Sequence, residues 1–305
     1  MLKYAAKRIV LGIVTLFVVS ALTFFLMNMV PGGPFMAEKA ISQQAMDALN
    51  EKYGLDKPLT EQFANYMKAA LHGDFGPSLR QRGRNVTDII LDRFPVSARL
   101  GGCAVLLALC VGIPLGCLAA FNRGKAADSI IIFFATLGIA VPSFVICVLL
   151  LYVFGVRLQV LPTHGLDGWK TYIMPVLTLA TYPSAYIARL MRSSMLDVMG
   201  QDYMRTARAK GVSQFKILFK HALRNAILPV VTYLGPMTAY TLCGSFVVEK
   251  VFAIPGLGGQ FVSSITNRDY SIIMGTTIFL AGLMILINVL VDVLYTFIDP
   301  RIKLK

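Results

Sequence analysis

Long stretches without a charged residue recur along the chain. They run Ile9–Ala37, Leu100–Asn122, Ser129–Val156, Thr171–Ala188, Asn225–Val248 and Ser271–Val291. A helix needs about 20 apolar residues to cross ~30 Å of hydrocarbon. Each window therefore predicts one crossing, the fourth with little to spare. A seventh window, Val251–Asn267, is shorter and holds Pro255, Gly256, Gly258 and Gly259. Those residues break helices, and the segment reads as a non-spanning loop or a re-entrant piece. The polar stretch between the first two windows predicts short helices. Thr60 is placed to cap one with Phe63, Tyr66, Met67, Ala70 and Leu71 on one face, stopped by Gly73. Asn85 is placed to cap Val86–Phe94, with Asp88 in the capping-box position and Pro95 leading into the second span. The pattern divides the chain into a first span within 1–30, an outer cap at 31–96, a spanning core at 97–298 containing a polar loop at 200–229, and a tail at 299–305.

Charge sets the orientation. With the N-terminus inside, the inner loops and termini carry sixteen basic residues and the short outer loops only four, namely Arg157, Lys170, Lys250 and Arg268. The long first outer loop holds eight basic and eight acidic residues, and a loop of that length crosses largely regardless of charge. The expectation is an all-α polytopic membrane protein with six spans, N-in and C-in. Lys3, Lys7 and Arg8 precede the first apolar run as in a signal peptide, but the run is too long and lacks an A-x-A site before Pro31. An uncleaved first span is expected.

Composition agrees with this pattern and narrows the function. Apolar residues make up 56% of the 305 and charged residues 15%, against roughly 45–50% and about 25% in soluble domains. The net charge of +13 is explained by the inner loops, without a nucleic-acid partner. The five cysteines lie in apolar stretches with no C-x-x-C, and the three histidines are far apart, so neither a disulfide framework nor a metal site is indicated. No phosphate-binding loop or hydrolase elbow occurs.

Three features remain as candidate chemistry. Ala108, Gly112, Gly116 and Ala120 recur every four residues in the second span; such a row lets helices approach closely, either inside the subunit or between subunits. The fourth and fifth spans carry hydroxyls and prolines but no charge. Thr178, Thr181, Tyr182, Tyr233, Thr238 and Thr241 are candidates either for interhelical hydrogen bonds or for lining a polar path. Asp292 is the one acid near a span interior; eight residues before Pro300, it suits an ion pair near the inner interface rather than a proton relay. An ion-coupled carrier would need more such groups, and an intramembrane hydrolase would need a nucleophile beside a base.

The inner loop after the fourth span is the most informative stretch. Arg205, Ala207, Arg208, Ala209, Lys210 and Gly211 form a short helix end of small and basic residues. Ser213 is placed to cap a second helix with Phe215, Leu218, Phe219 and Ala222 on one face and Lys216, Lys220 and Arg224 on another. The loop closes at Ile227-Leu228-Pro229. It resembles the EAA loop of bacterial ABC importer permeases, with Gly211 in the glycine place and Arg205-Thr206-Ala207 where Glu-Ala-Ala would stand. Lys52–Leu55, His72–Ser78, Phe94–Ala98, Ile254–Gly258, Asn267–Tyr270 and the ending Asn288, Asp292 and Asp299–Arg301 resemble the peptide branch of that family, which includes oligopeptide, dipeptide and nickel permeases, with the oligopeptide branch the nearest. The resemblance implies a type I importer fold in the bacterial inner membrane. It implies a homologous second permease subunit, two cytoplasmic ATPases that hold ATP and magnesium, an extracytoplasmic peptide-binding protein and a peptide substrate, while this chain itself hydrolyses nothing and holds no cofactor. Residues 205–211 would then be the ATPase-coupling loop.

Overall fold

Lipid offers no partner for a backbone amide, so a crossing segment must satisfy its own hydrogen bonds, and helices do so within one segment. The computed structural model describes residues 2–31, 35, 43–213, 216–242 and 246–298, and these form helices and connecting turns with no strand. Three helices are long and apolar enough to cross a membrane: Ala6–Met29, Val86–Phe121 and Tyr270–Val291. Two bent helix pairs raise the number to five if each is one span. The chain clusters into two compact units, Met1–Ser97 with Pro255–Leu286, and Ala98–Ile254 with Ile287–Lys303.

The first unit contains α1 (Leu2–Met29), α2 (Gln43–Tyr53), α3 (Leu59–Ala70), the start of α4 (Val86–Phe121), and, after the second unit, Leu257–Asn267 and the first part of Tyr270–Ile298. Helix α3 begins at Leu59 behind Pro58, which makes no side-chain cap; Thr60 lies inside the first turn and does not cap it. Proline supplies the pre-set φ that a helix start needs. Phe63 of α3 packs against Phe17, Phe24 and Phe25 of α1 at centroid distances of 5.3–5.8 Å. Gly73 ends this region with φ +77°. Helix α4 runs unbroken through Pro95, so the predicted outer helix and the second span are one element of 36 residues.

Asp269 joins three pieces of this unit. It is buried and accepts hydrogen bonds from the Ser78 hydroxyl, the Leu79 and Arg80 amides (3.2 Å each) and the Ile272 amide (3.3 Å). The last of these caps the helix that starts at Tyr270. Two stretches almost two hundred residues apart are thereby held by one carboxylate.

The second unit contains the rest of α4, α5 (Ala126–Ala140), α6 (Ser143–Leu150) with a π-helical continuation Leu151–Arg157, α7 (Lys170–Met199), α8 (Asp202–Ala209), a π-helical stretch Ile217–Ala222 leading into α9 (Leu223–Ala226), α10 (Leu228–Leu242) and α11 (Phe246–Val251). In the first unit, α12 is Leu257–Asn267; the long α13 is Tyr270–Ile298. Eleven residues of α12 reach only about 16 Å, so that window does not span.

The third window, Ser129–Val156, is not one straight helix. Helices α5 and α6 meet at 104° where Val141 is extended and Pro142 cannot continue the ladder. The fifth is bent by 50° near Ile227. The fourth window lies in α7, which has 30 residues with Pro175 and Pro183 inside it; its Thr, Tyr and Pro content keeps it out of the strongly apolar set.

The small-residue row of α4 is buried against α7. A Cβ on Gly112 would meet Ile187 and the Ser184 carbonyl at 2.8 Å, and one on Gly116 would meet the Ala188 carbonyl and Met191 at 2.6 Å. Ala108 and Ala120 are also buried. The row therefore serves packing inside the subunit. Gly102, on the same helix, has nothing within 4 Å of such a Cβ. Gly116→Leu is expected to destabilise by at least the ~1–3 kcal/mol of ordinary overpacking, because a carbonyl in a helix cannot yield, and Gly102→Leu by far less. Yields of folded, detergent-extracted protein would show the difference; equal yields would contradict this packing.

Candidate functional site

Breaking α5 from α6 leaves space beside α7 and α10, and a cavity of about 620 Å³ lies there. That is within the range of small-ligand sites. Its wall includes Pro142, Ser143 and Ile146 from the break, Thr178, Tyr182 and Pro183 from α7, and Tyr233, Pro236, Met237, Tyr240 and Thr241 from α10. Among the described residues no charged side chain lines it. Of the path candidates, Thr178, Tyr182, Tyr233 and Thr241 are brought together here, while Thr181 and Thr238 are not part of the wall. Tyr240 and the 142–143 break were absent from that set. Pro142 inside a charge-free window was the available signal, since proline bends a membrane helix where it removes a backbone bond.

The hydroxyls fall into two classes. Thr178, Thr181 and Thr241 donate to the carbonyls of Met174 (2.9 Å), Leu177 (2.7 Å) and Met237 (2.7 Å), four residues back in their own helices. Those donors are occupied, and such bonds also ease helix bending. The tyrosines are held by stacking: Tyr186 lies 4.4 Å from Tyr233 and 6.3 Å from Tyr182, ring centre to ring centre. Tyr182 is 47% exposed and Tyr240 71%. The cavity thus presents ring faces, phenol groups and apolar surface.

An ion pair that sequence patterning missed ties α5 to α7. Arg192 donates to both oxygens of Asp128, Nε to Oδ1 at 2.6 Å and Nη2 to Oδ2 at 2.7 Å. The Gly124 amide adds a bond of 3.0 Å to Oδ2. The Asp128 side chain is only 6% exposed and that of Arg192 28%. Asp128, in the first turn of α5, and the buried Glu249, in α11, are further acids at the ends of apolar windows. Asp128 stands at a window boundary, where counting charge-free runs leaves it out. The side chain of Asp292, Phe215 and the tail 299–305 lie outside the described residues. No cluster of three or more metal-ligating side chains occurs among the described residues.

The loop after α7 forms a compact knuckle. Helix α8 ends with the Gly211 amide donating to Arg208 (3.0 Å) and the Val212 amide to Ala207 (3.2 Å), the paired bonds of a Schellman stop. Gly211 has φ +71° and nothing within 4 Å of a would-be Cβ. Arg208, Ala209, Lys210 and Gly211 are exposed, Ala207 is half-buried, and Arg205 pairs with Asp202 at 3.7 Å. Met204 is fully buried with Ile217, Ala222 and Ala226, and Tyr203 accepts a bond of 2.9 Å from Asn225. The knuckle is anchored from behind and bare in front. The second helix differs from the amphipathic expectation. Ile217 and Ala222 are buried while Phe219 is 49% exposed, because the stretch is π-helical and residues five apart share a face.

Comparison with known proteins places this arrangement. Residues 112–304 match the family of binding-protein-dependent transport system inner membrane components, and residues 1–101 match the N-terminal module of such membrane components. The chain is 45% identical over 304 residues to a dipeptide transport system permease protein of Bacillus subtilis, covering 100% of this chain and 99% of that one. It is 43% identical over 305 residues to an oligopeptide transport system permease protein of Haemophilus influenzae, covering 99% and 100%. Its fold resembles the solved methionine ABC transporter MetNI, with TM-score 0.55 and 17% identity over 69% of this chain and 96% of that one. The chain belongs to the family of inner membrane components of binding-protein-dependent ABC transport systems.

Proposed function

We propose that this chain is the permease subunit of an ATP-driven, binding-protein-dependent oligopeptide importer. It forms half of the path, itself hydrolyses nothing, and works with a homologous permease subunit, two cytoplasmic ATPases and an extracytoplasmic peptide-binding protein. The observation that carries this function is the uncharged cavity beside two bent helices in a chain of this family. A peptide is rich in backbone groups and variable in its side chains. A wall of phenols and apolar surface can accept it without demanding one charge. The exposed Gly211 knuckle would dock on an ATPase, and its anchored back, through Met204 and Asn225, would carry movement into α9 and α10. A dipeptide substrate stands beside an oligopeptide on one observation, the name of the relative from Bacillus subtilis.

The function also needs six crossings with both termini inside, α7 supplying the fourth. The basic residues concentrated in the inner loops support that orientation. In a cysteine-free background, a cysteine at exposed Asp56 should react with a membrane-impermeant reagent outside intact cells, and one at exposed Ser213 should not. The reverse pattern would overturn the orientation. Affinity purification from membranes should recover two ATPases and a second permease, and the reconstituted complex should import peptide only with ATP and the binding protein. ATP-independent uptake by the purified chain alone would refute it.

A further inference from the structure

We infer that the tyrosine wall of the cavity sorts passing side chains by the sign of their charge, favouring an ammonium or guanidinium over a carboxylate. This rests on the peptide-import function proposed above and concerns the same cavity. Three observations carry it. Among the described residues the wall has no Lys, Arg, Asp or Glu, so no full charge of theirs dominates the field. The Thr178 and Thr241 donors are occupied by their own helices, so they have no free proton to offer a carboxylate. Tyr182, a residue 47% exposed, and Tyr240, 71% exposed, supply the open aromatic residues of the wall, while Tyr186 and Tyr233, 4.4 Å apart, hold the adjoining stack in place.

The consequence follows from the charge distribution of a ring. Its face is the negative pole of a quadrupole, and a cation within about 6 Å of the centroid is attracted. A carboxylate entering the same space loses water and gains no cation, only the neutral hydroxyl donors of the tyrosines. An exposed to part-desolvated cation–aromatic contact is worth roughly twofold to thirtyfold in occupancy. A cationic side chain should therefore enter and cross faster than an anionic one of similar size. The sorting belongs to the path and is separate from whatever the binding protein selects.

The test uses the complete complex in proteoliposomes, with three tripeptides that differ only in a central Lys, Met or Glu. Each is supplied at saturating peptide and binding protein, so that the maximal uptake rate reports passage rather than capture. The Lys and Glu rates are each divided by the Met rate of the same variant. The wild type should favour Lys over Glu by at least about threefold. Tyr240→Leu, at the most exposed ring, and Tyr182→Leu should each pull that ratio toward one, and Tyr→Phe at either position should keep it, because the ring and not the hydroxyl carries the preference. An unchanged ratio in both leucine variants overturns the inference, as does loss of the ratio in the phenylalanine variants. Robust Met-peptide uptake with a wild-type ratio of one overturns the sorting while leaving peptide import standing. No uptake of any peptide overturns both.

Discussion

Gly211→Leu is expected to abolish peptide uptake and to loosen the ATPases while leaving insertion and pairing with the second permease near normal. Two costs act at this position and can be separated. The first is conformational. At φ +71° a residue with a Cβ pays roughly 1–2 kcal/mol, which weakens the stop of α8 and the two amide bonds to Arg208 and Ala207. The second is bulk. Among the described residues nothing lies within 4 Å of the added Cβ, so a side chain that begins there starts into open space, and a steric penalty beyond the backbone strain points to a partner seated on the knuckle. Gly211→Ala carries the first cost with little of the second. Gly211→Asn carries bulk with less strain, since asparagine tolerates the left-handed region. The expected order of uptake is wild type, then alanine, then asparagine, then leucine, with ATPase co-purification falling in the same order. Lys216→Gln, on the exposed side of the next segment, should have far less effect. Normal transport by Gly211→Leu with the ATPases still attached would end the coupling role of this loop. If alanine proved as harmful as leucine, backbone conformation alone would govern the position.

The second large effect concerns the ion pair between α5 and α7, where the two partners should not be equivalent. Arg192→Ala leaves the Asp128 carboxylate in a site only 6% exposed, with the Gly124 amide as its remaining partner. Removing one member of a buried pair typically costs about 3–5 kcal/mol. Asp128→Asn leaves Arg192, at 28% exposure, able to reach water and still able to donate to an amide oxygen; a cost nearer 1–2 kcal/mol is expected. Thermal unfolding of the purified complex should therefore show the larger drop for Arg192→Ala. Equal drops, or a larger one for Asp128→Asn, would mean that Asp128 is not the dependent partner. Arg192→Lys should recover only part of the loss, because an ammonium cannot make the paired contact that the guanidinium makes with both oxygens.

Much of this molecule follows from the order of its residues. Runs without charge can cross lipid and charged ones cannot, so the apolar windows and the basic stretches between them could be located by reading along the chain. The stop at Gly211 was also local: a glycine after a basic helix end, with bonds reaching back three and five residues. The small row on α4 showed in its four-residue spacing that close packing was needed, but not against what; the carbonyls of Ser184 and Ala188 decided that, and they belong to another helix.

Other features were beyond local reading. Pro114 and Pro142 are the same residue type in similar apolar surroundings, yet α4 continues through the first and the chain turns by 104° at the second. A proline removes one bond and crowds one carbonyl wherever it sits; whether the helix bends or continues depends on what packs around it. The pairing of Asp128 with Arg192, 64 residues on, and the seating of Ser78 on Asp269, 191 residues on, are long-range choices of the same kind. So is the fate of the hydroxyls. Thr178 and Tyr182 stand on the same helix and line the same cavity, but threonine's short side chain can reach its own backbone four residues back, whereas tyrosine's hydroxyl sits too far from its Cα to do so and is placed by its stacked neighbours. Residue order alone determined that this chain crosses a membrane, where its charges lie and which turn ends its exposed loop. Only the packing of helices against one another decided which polar groups are spent inside the fold and which remain open to a ligand, because that depends on neighbours distant in the chain.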